Sequence, residues 1–341
     1  MSAPPISIPA LTQAASHLTA SKYYALAAYV MFVYDIFLTF PLEIEKIWTK
    51  KFNGLTVLWF SNRWFFLAGV TITYVAYLDP NWSGASYRLQ AVFWALISPC
   101  RCDAFFRYPG YVLTIQRLTV GSIFLLRIYC IYNRDLRPAA IVAVFVIAEA
   151  TVKLVSLQLW AAPVQLPPGL TSCILAVTPQ NASKFIGYWL TELCTDGAIF
   201  FATIYRSYDI YWKNGRGSLS STYLWRVIVK DGILYFAIML TSNLVTVIQY
   251  LTLPQDLKAI NANFGAVCTS LLTARLVLNL KIAGTHSPSN SHLHSGFVGP
   301  QNTWEAAVCG PLGNELEGVS LEEKRSRPSE EYELGKMRLP K

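Results

Sequence analysis

Tyr34-Asp35-Ile36-Phe37-Leu38-Thr39-Phe40-Pro41-Leu42-Glu43-Ile44-Glu45-Lys46-Ile47-Trp48 is the stretch that decides the fold. A long apolar run ends in it. Proline follows at 41, and acidic and basic residues come behind. That order reads as a membrane helix meeting water. Proline lacks the amide hydrogen a continuing helix needs, so Pro41 is expected to end the first helix. The same pattern of apolar run and charged loop then repeats along the chain.

Composition agrees. Only 14% of the 341 residues are charged and 53% are hydrophobic, whereas soluble domains carry about 25% charged residues. Runs near twenty apolar residues span a hydrocarbon core. The expected fold is all-α, an integral membrane bundle of seven transmembrane helices. Their expected spans are 23–40, 55–78, 110–132, 138–161, 185–205, 227–251 and 259–280. Residues 1–22 read as a disordered tail, and 282–341, rich in Ser, Pro, Gly, Glu and Lys, as another. No positive segment precedes an apolar core at the N-terminus, so no cleaved leader is expected. Between helices 2 and 3, Leu89–Ile97 is apolar but too short to cross and reads as interfacial.

Charge sets the expected orientation. The loops after helices 1, 3 and 5 hold Lys46, Lys50, Lys51, Arg134, Arg137, Arg206, Lys213, Arg216 and Arg226. The alternate loops hold Arg88, Arg101, Arg107, Lys184 and Lys258. Basic loops stay in the cytoplasm, which puts the N-terminus outside and the C-terminus inside. The acceptor pattern Asn181-Ala182-Ser183 then falls outside, where glycosylation occurs. So do Cys100, Cys102 and Cys173, where disulfides persist. Cys173 is expected to pair with Cys100 or Cys102, against the alternative of three free thiols.

Two sets of intramembrane charges stand out. A lone charge at mid-bilayer costs about 2.5–3.5 kcal/mol on insertion scales, so such groups are paired or functional. The cytoplasmic set is Asp35, Arg63, Arg127, Asp231 and Arg275, with Asn62 and Asn279. It reads as a polar layer tying inner helix ends, with Asp35 and Asp231 facing some of the arginines. Snorkelling to headgroups is the competing reading for Arg127 and Arg275. The second set is Arg117, Glu149, Lys153, Glu192 and Asp196. Glu149 and Lys153 stand four apart, acid first, the favourable helical order. Glu192 and Asp196 stand four apart and repel, so they call for a cation, a proton or the arginine. This set is the candidate ligand or ion pocket; a closed network that only fixes packing is the competing reading.

Several functions are argued against. His17, His286, His292 and His294 all lie in the tails, so neither a histidine-bound zinc nor a Ser-His-Asp set can form in the membrane domain. Helix 7 lacks the mid-helix lysine of a retinal protein and the Asn-Pro-x-x-Tyr ending of G-protein-coupled receptors. No Gly-rich phosphate loop opens a helix, and the GxSxG and HExxH patterns are absent. No enzyme activity, metal, cofactor or nucleic-acid partner is expected.

Tyr34-Asp35 through Glu43-Ile44-Glu45-Lys46-Ile47-Trp48, followed by Asn62-Arg63-Trp64, resembles the N-terminal segment of a membrane family of basidiomycete fungi, a domain of unknown function numbered 6533. Leu126-Arg127-Ile128-Tyr129, Leu166-Pro167-Pro168-Gly169-Leu170 with Cys173, Asp231-Gly232-Ile233-Leu234-Tyr235-Phe236 and Arg275-Leu276-Val277-Leu278-Asn279-Leu280 extend the likeness over roughly 23–281. Trp64 stands where tyrosine is expected, and 84–107 is longer than that family's usual loop. The resemblance implies a multi-pass membrane protein with no assigned activity. The leading functional expectation is a receptor-like protein in the plasma membrane, coupling an unknown small ligand to a cytoplasmic signalling partner. A transporter or channel with a polar path through helices 3, 4 and 5 is the alternative, and a non-catalytic scaffold the third.

Overall fold

A computed structural model of the chain describes residues 8–49, 52–78, 106–163, 175–177, 181–213, 219–254, 257–258 and 260–286. Within them the chain forms seven long helical rods. They are α1 (Ile8–Glu43), α2 (Gly54–Leu78), α3 (Tyr108–Ile131), α4 (Leu136–Leu159), α5 (Ala182–Lys213), α6 (Leu219–Thr252) and α7 (Ile260–His286). Five of them, α1 to α4 and α6, carry windows long and apolar enough to cross a membrane. Consecutive rods pack side by side from α3 to α7, and α1 packs on both α2 and α7, closing a ring. α3 also touches α5 and α7, so it runs through the middle. Its apolar window is 61% buried, against 28–39% for the other four.

The outward faces are apolar. Ile141, Val144, Ile147 and Leu159 on α4, Phe37 on α1 and Phe201 on α5 are all well exposed. Such a surface has no place in water but is the expected face toward lipid tails. Inside, α3 and α4 approach closely because α3 offers glycines. A β-carbon at Gly110 would lie 2.3 Å from Leu157, and one at Gly121 would lie 3.0 Å from Val146. Small residues at helix contacts are how membrane bundles gain packing where no water is displaced.

Five features correct the sequence expectations. Residues 8–22, expected as part of a disordered tail, begin α1. Thr12, Ser16 and Thr19 turn their hydroxyls back onto backbone carbonyls one turn earlier, which lets polar residues continue a helix. Pro41 does not end α1. The rod passes through it and widens into a π-turn at Ile44–Trp48, as membrane helices tolerate when neighbours satisfy the freed backbone. α5 and α6 reach beyond their expected ends, so Arg206, Lys213 and Arg226 lie on rods rather than in the loop. The fold class also gains two strands, β1 (Ala161–Pro163) and β2 (Leu175–Val177), paired antiparallel between α4 and α5. Finally, α7 runs on to His286, past the expected start of the tail.

A second π-turn, Ser61–Phe65, interrupts α2. It turns Asn62 and Arg63, adjacent in sequence, both fully inward. The widened ladder frees the Asn62 carbonyl, and α7 answers it: Ser270 Oγ donates to Asn62 O at 2.8 Å, and Asn62 Nδ2 donates to Ser270 O at 3.1 Å. Interruptions of this kind cluster at sites that a regular helix could not build.

The α3–α4 contact is testable. Gly110→Ala drives a methyl into buried Leu157 and is expected to cost about 1–3 kcal/mol, read as a lower melting temperature in detergent. Adding Leu157→Ala makes room, so the double variant melts above Leu157→Ala alone plus the penalty of Gly110→Ala.

Candidate functional site

Arg117 lies midway along α3, the most enclosed rod, and is nearly buried. A guanidinium there must find acceptors on neighbouring helices. It finds three. Its Nη2 lies 2.6 Å from Asp196 Oδ1, and its Nε lies 3.1 Å from Glu149 Oε1 and 3.3 Å from Glu192 Oε1. Lys153, 1% exposed, bridges the other side, at 2.9 Å from Glu149 Oε1 and 2.7 Å from Glu192 Oε2. The helical pair Glu149–Lys153 therefore forms, and Glu192 and Asp196 meet the arginine. All five residues expected of the candidate pocket come together.

Two partners were missed in the sequence. Asn243 of α6 donates from Nδ2 to Asp196 Oδ2. Tyr188 of α5 places its ring 4.9 Å below the Lys153 ammonium, a favourable cation–π contact. Asn243 could have been found: Ser242-Asn243 is a polar doublet in the middle of an apolar helix. The network thus ties α3, α4, α5 and α6 together. It holds three carboxylates against two cations. The space beside it, among Leu113, Arg117, Trp189, Glu192, Asn243 and Ala266, is about 10 Å³, room for one water at most.

The set expected to form a polar layer divides. Arg63 of α2 donates from Nη1 to Asp35 Oδ2 at 2.8 Å, from Nη2 to Asp35 O at 3.2 Å, and from Nε to Glu43 Oε1 at 2.8 Å. It also reaches the Thr39 hydroxyl. Arg275 of α7 takes the other Asp35 oxygen, with Nε at 2.8 Å and Nη2 at 2.7 Å. This lock joins α1, α2 and α7. Glu43 and Thr39 were not expected in it. They follow Asp35 at steps of four and share its face, but a helix stopped at Pro41 would have left Glu43 outside.

Asn62, Asn279 and Arg127 do not join the lock. Asn62 bonds to Ser270, as described, and Asn279 Nδ2 donates to Tyr235 Oη at 3.2 Å. Arg127 is buried, not snorkelling. Its guanidinium lies 5.1 Å from the Phe236 ring centre, and its Nε and Nη1 have no hydrogen-bond partner among the described residues. The side chain of Asp231 lies outside the described residues, as do Cys100, Cys102 and Cys173. Asn181 immediately precedes α5.

The excess acid gives the network an asymmetric response. Asp196→Asn makes it neutral, so melting in detergent is expected to hold or rise. Lys153→Met leaves two facing carboxylates and is expected to cost about 3–5 kcal/mol. Glu149→Gln added to Lys153→Met restores part of that loss. Equal losses for acid and base variants would refute the charge count.

No curated protein and no solved structure matches the chain. Residues 23–68 do match a family model, described as a family of unknown function (DUF6533). The matched span holds Asp35, Thr39, Glu43 and Arg63, the α1–α2 half of the lock, together with Asn62 beside it, and stops short of the central network. Through residues 23–68, the chain is similar to the family of unknown function DUF6533.

Proposed function

We propose that the chain is a receptor-like, seven-span membrane protein of the plasma membrane, with its N-terminus outside, its C-terminus cytoplasmic and no catalytic activity of its own. It senses a small ligand and passes the change to a cytoplasmic partner through its inner loops. The observation that carries this reading is the chain of contacts from Arg117 through Asp196 to Asn243. It makes the position of α6 depend on the charge state of a sealed network.

Seven spans are supported by what α5 and α7 do with their polar residues. Both are longer than the about 20 residues a crossing needs. Glu192, Asp196 and Arg275 lower their hydropathy, but each is paired with another helix. Their cost in hydrocarbon is thereby offset. The orientation rests on the basic loops named above. A switch is favoured over a conduit because the space beside the network is about 10 Å³, too narrow for a water file.

Two measurements test this. A C-terminal epitope should be reached by antibody only after cells are permeabilised. For the switch, spin labels on Arg137→Cys at the start of α4 and Leu234→Cys on α6, in a Cys194→Ser background, report the inner spacing. Asp196→Asn should shift that distance by about 1–2 Å, the scale of helix shifts in switching proteins, while melting is retained. An unchanged distance, together with proton or cation flux through liposomes carrying the parent protein, would replace the receptor reading with the transporter. An unchanged distance without flux would leave the scaffold.

A further inference from the structure

A groove of about 440 Å³ opens on the outer side of the ring between α1, α6 and α7. This volume falls within the range of small-molecule sites, about 300–1,000 Å³. It is separate from the central network, which lies on the other face of α6. Its lining runs along α6 from Ala237 to Gln249, about 18 Å at 1.5 Å per residue. Tyr24 of α1 and Asn261 and Phe264 of α7 form the opposite wall. Ile238 and Val245 in the lining are 43% and 38% exposed, so the groove faces lipid rather than water.

Its chemistry is graded along that length. Ala237 and Ile238 make one end apolar. Tyr24, Gln249 and Asn261 make the other end polar, and none of the lining side chains is charged. Tyr24 and Asn261 already serve each other, the Tyr24 hydroxyl donating to Asn261 Oδ1 at 2.7 Å. Gln249 Oε1 and Ser242 Oγ do not have a hydrogen-bond partner among the described residues, and both atoms are covered. A covered acceptor left unmet costs about 1–3 kcal/mol, and both residues line the groove. The Gln249 oxygen calls for a donor, which a hydroxyl supplies, and no cation lines the groove to meet a carboxylate. An opening drawn out along one helix in this way suits an extended hydrocarbon chain.

We propose that the groove between α1, α6 and α7 binds an uncharged single-chain amphiphile with a hydroxyl head, of the long-chain alcohol class, entering sideways from the bilayer. Its head meets Gln249, and its tail lies along Val245, Ser242 and Ile238. Ser242 adjoins Asn243, which holds Asp196, so one residue separates this ligand from the central network. The inference rests on the receptor reading only for what occupancy does; occupancy itself is measured apart.

The test uses the full chain in phosphatidylcholine nanodiscs and a long-chain alcohol bearing a photoreactive diazirine. Label should fall on peptides of α6 with α1 or α7. Unlabelled hexadecan-1-ol should compete, while hexadecanoate and cholesterol should not. Val245→Trp, which fills the groove at a lipid-facing site, should reduce labelling about tenfold, and Gln249→Leu about fivefold. Leu251→Trp, exposed outside the groove, should leave it unchanged. Labelling that survives both Val245→Trp and Gln249→Leu, or that hexadecanoate competes equally, would reduce the groove to ordinary lipid contact. Should Val245→Trp not fold, Gln249→Leu and the competition series decide. Groove labelling without any change in α4–α6 spacing on adding the alcohol would keep the site and remove the receptor reading.

Discussion

A charge in hydrocarbon has to be met by a neighbour within hydrogen-bond reach, because no water is there to meet it. Arg117 is where this constraint presses hardest. One guanidinium on the central rod draws carboxylates from α4 and α5, and Asp196 in turn draws the amide of Asn243 from α6. Four rods are fixed in rotation and depth by a single side chain. Apolar packing could not fix them so well, since lipid tails are as acceptable to a leucine as another leucine is.

The inner lock applies the same rule at the other end of the bundle, with a different balance. Asp35 and Glu43 face Arg63 and Arg275, two acids against two bases. That set is neutral, and it holds α1, α2 and α7. The central set carries one acid more than its bases. A balanced cluster resists change, whereas an unbalanced one responds to whatever supplies the missing charge. One cluster joins α1, α2 and α7, and the other joins α3, α4, α5 and α6.

Much of this was legible in the sequence. The seven rods lie close to where apolar runs and prolines placed them. The pairing of Glu149 with Lys153 followed from helical spacing, and the gathering of Arg117, Glu192 and Asp196 from the need of like charges for a counter-charge. What failed were local rules overridden by neighbours. Pro41 reads as a stop in isolation, yet α1 continues because the bundle satisfies the backbone beyond it. Glu43 was lost with that error. The π-turn at Ser61–Phe65 leaves no mark in the sequence, since its support, Ser270, is more than two hundred residues away. The groove could not be foreseen either, because neutral residues on three distant segments line it.

The Arg63–Asp35 pairing has a consequence for how the chain enters its membrane. α1 carries two acids, Asp35 and Glu43, and α2 one base, and a charge inside a span costs free energy on insertion. As a hairpin, they set Arg63 against both acids, which leaves one acid in excess. Asp35 still keeps one oxygen for Arg275, which is synthesised after all the other rods. Arg275 brings the second base, so the charges of this cluster balance only once the last rod has joined the first two.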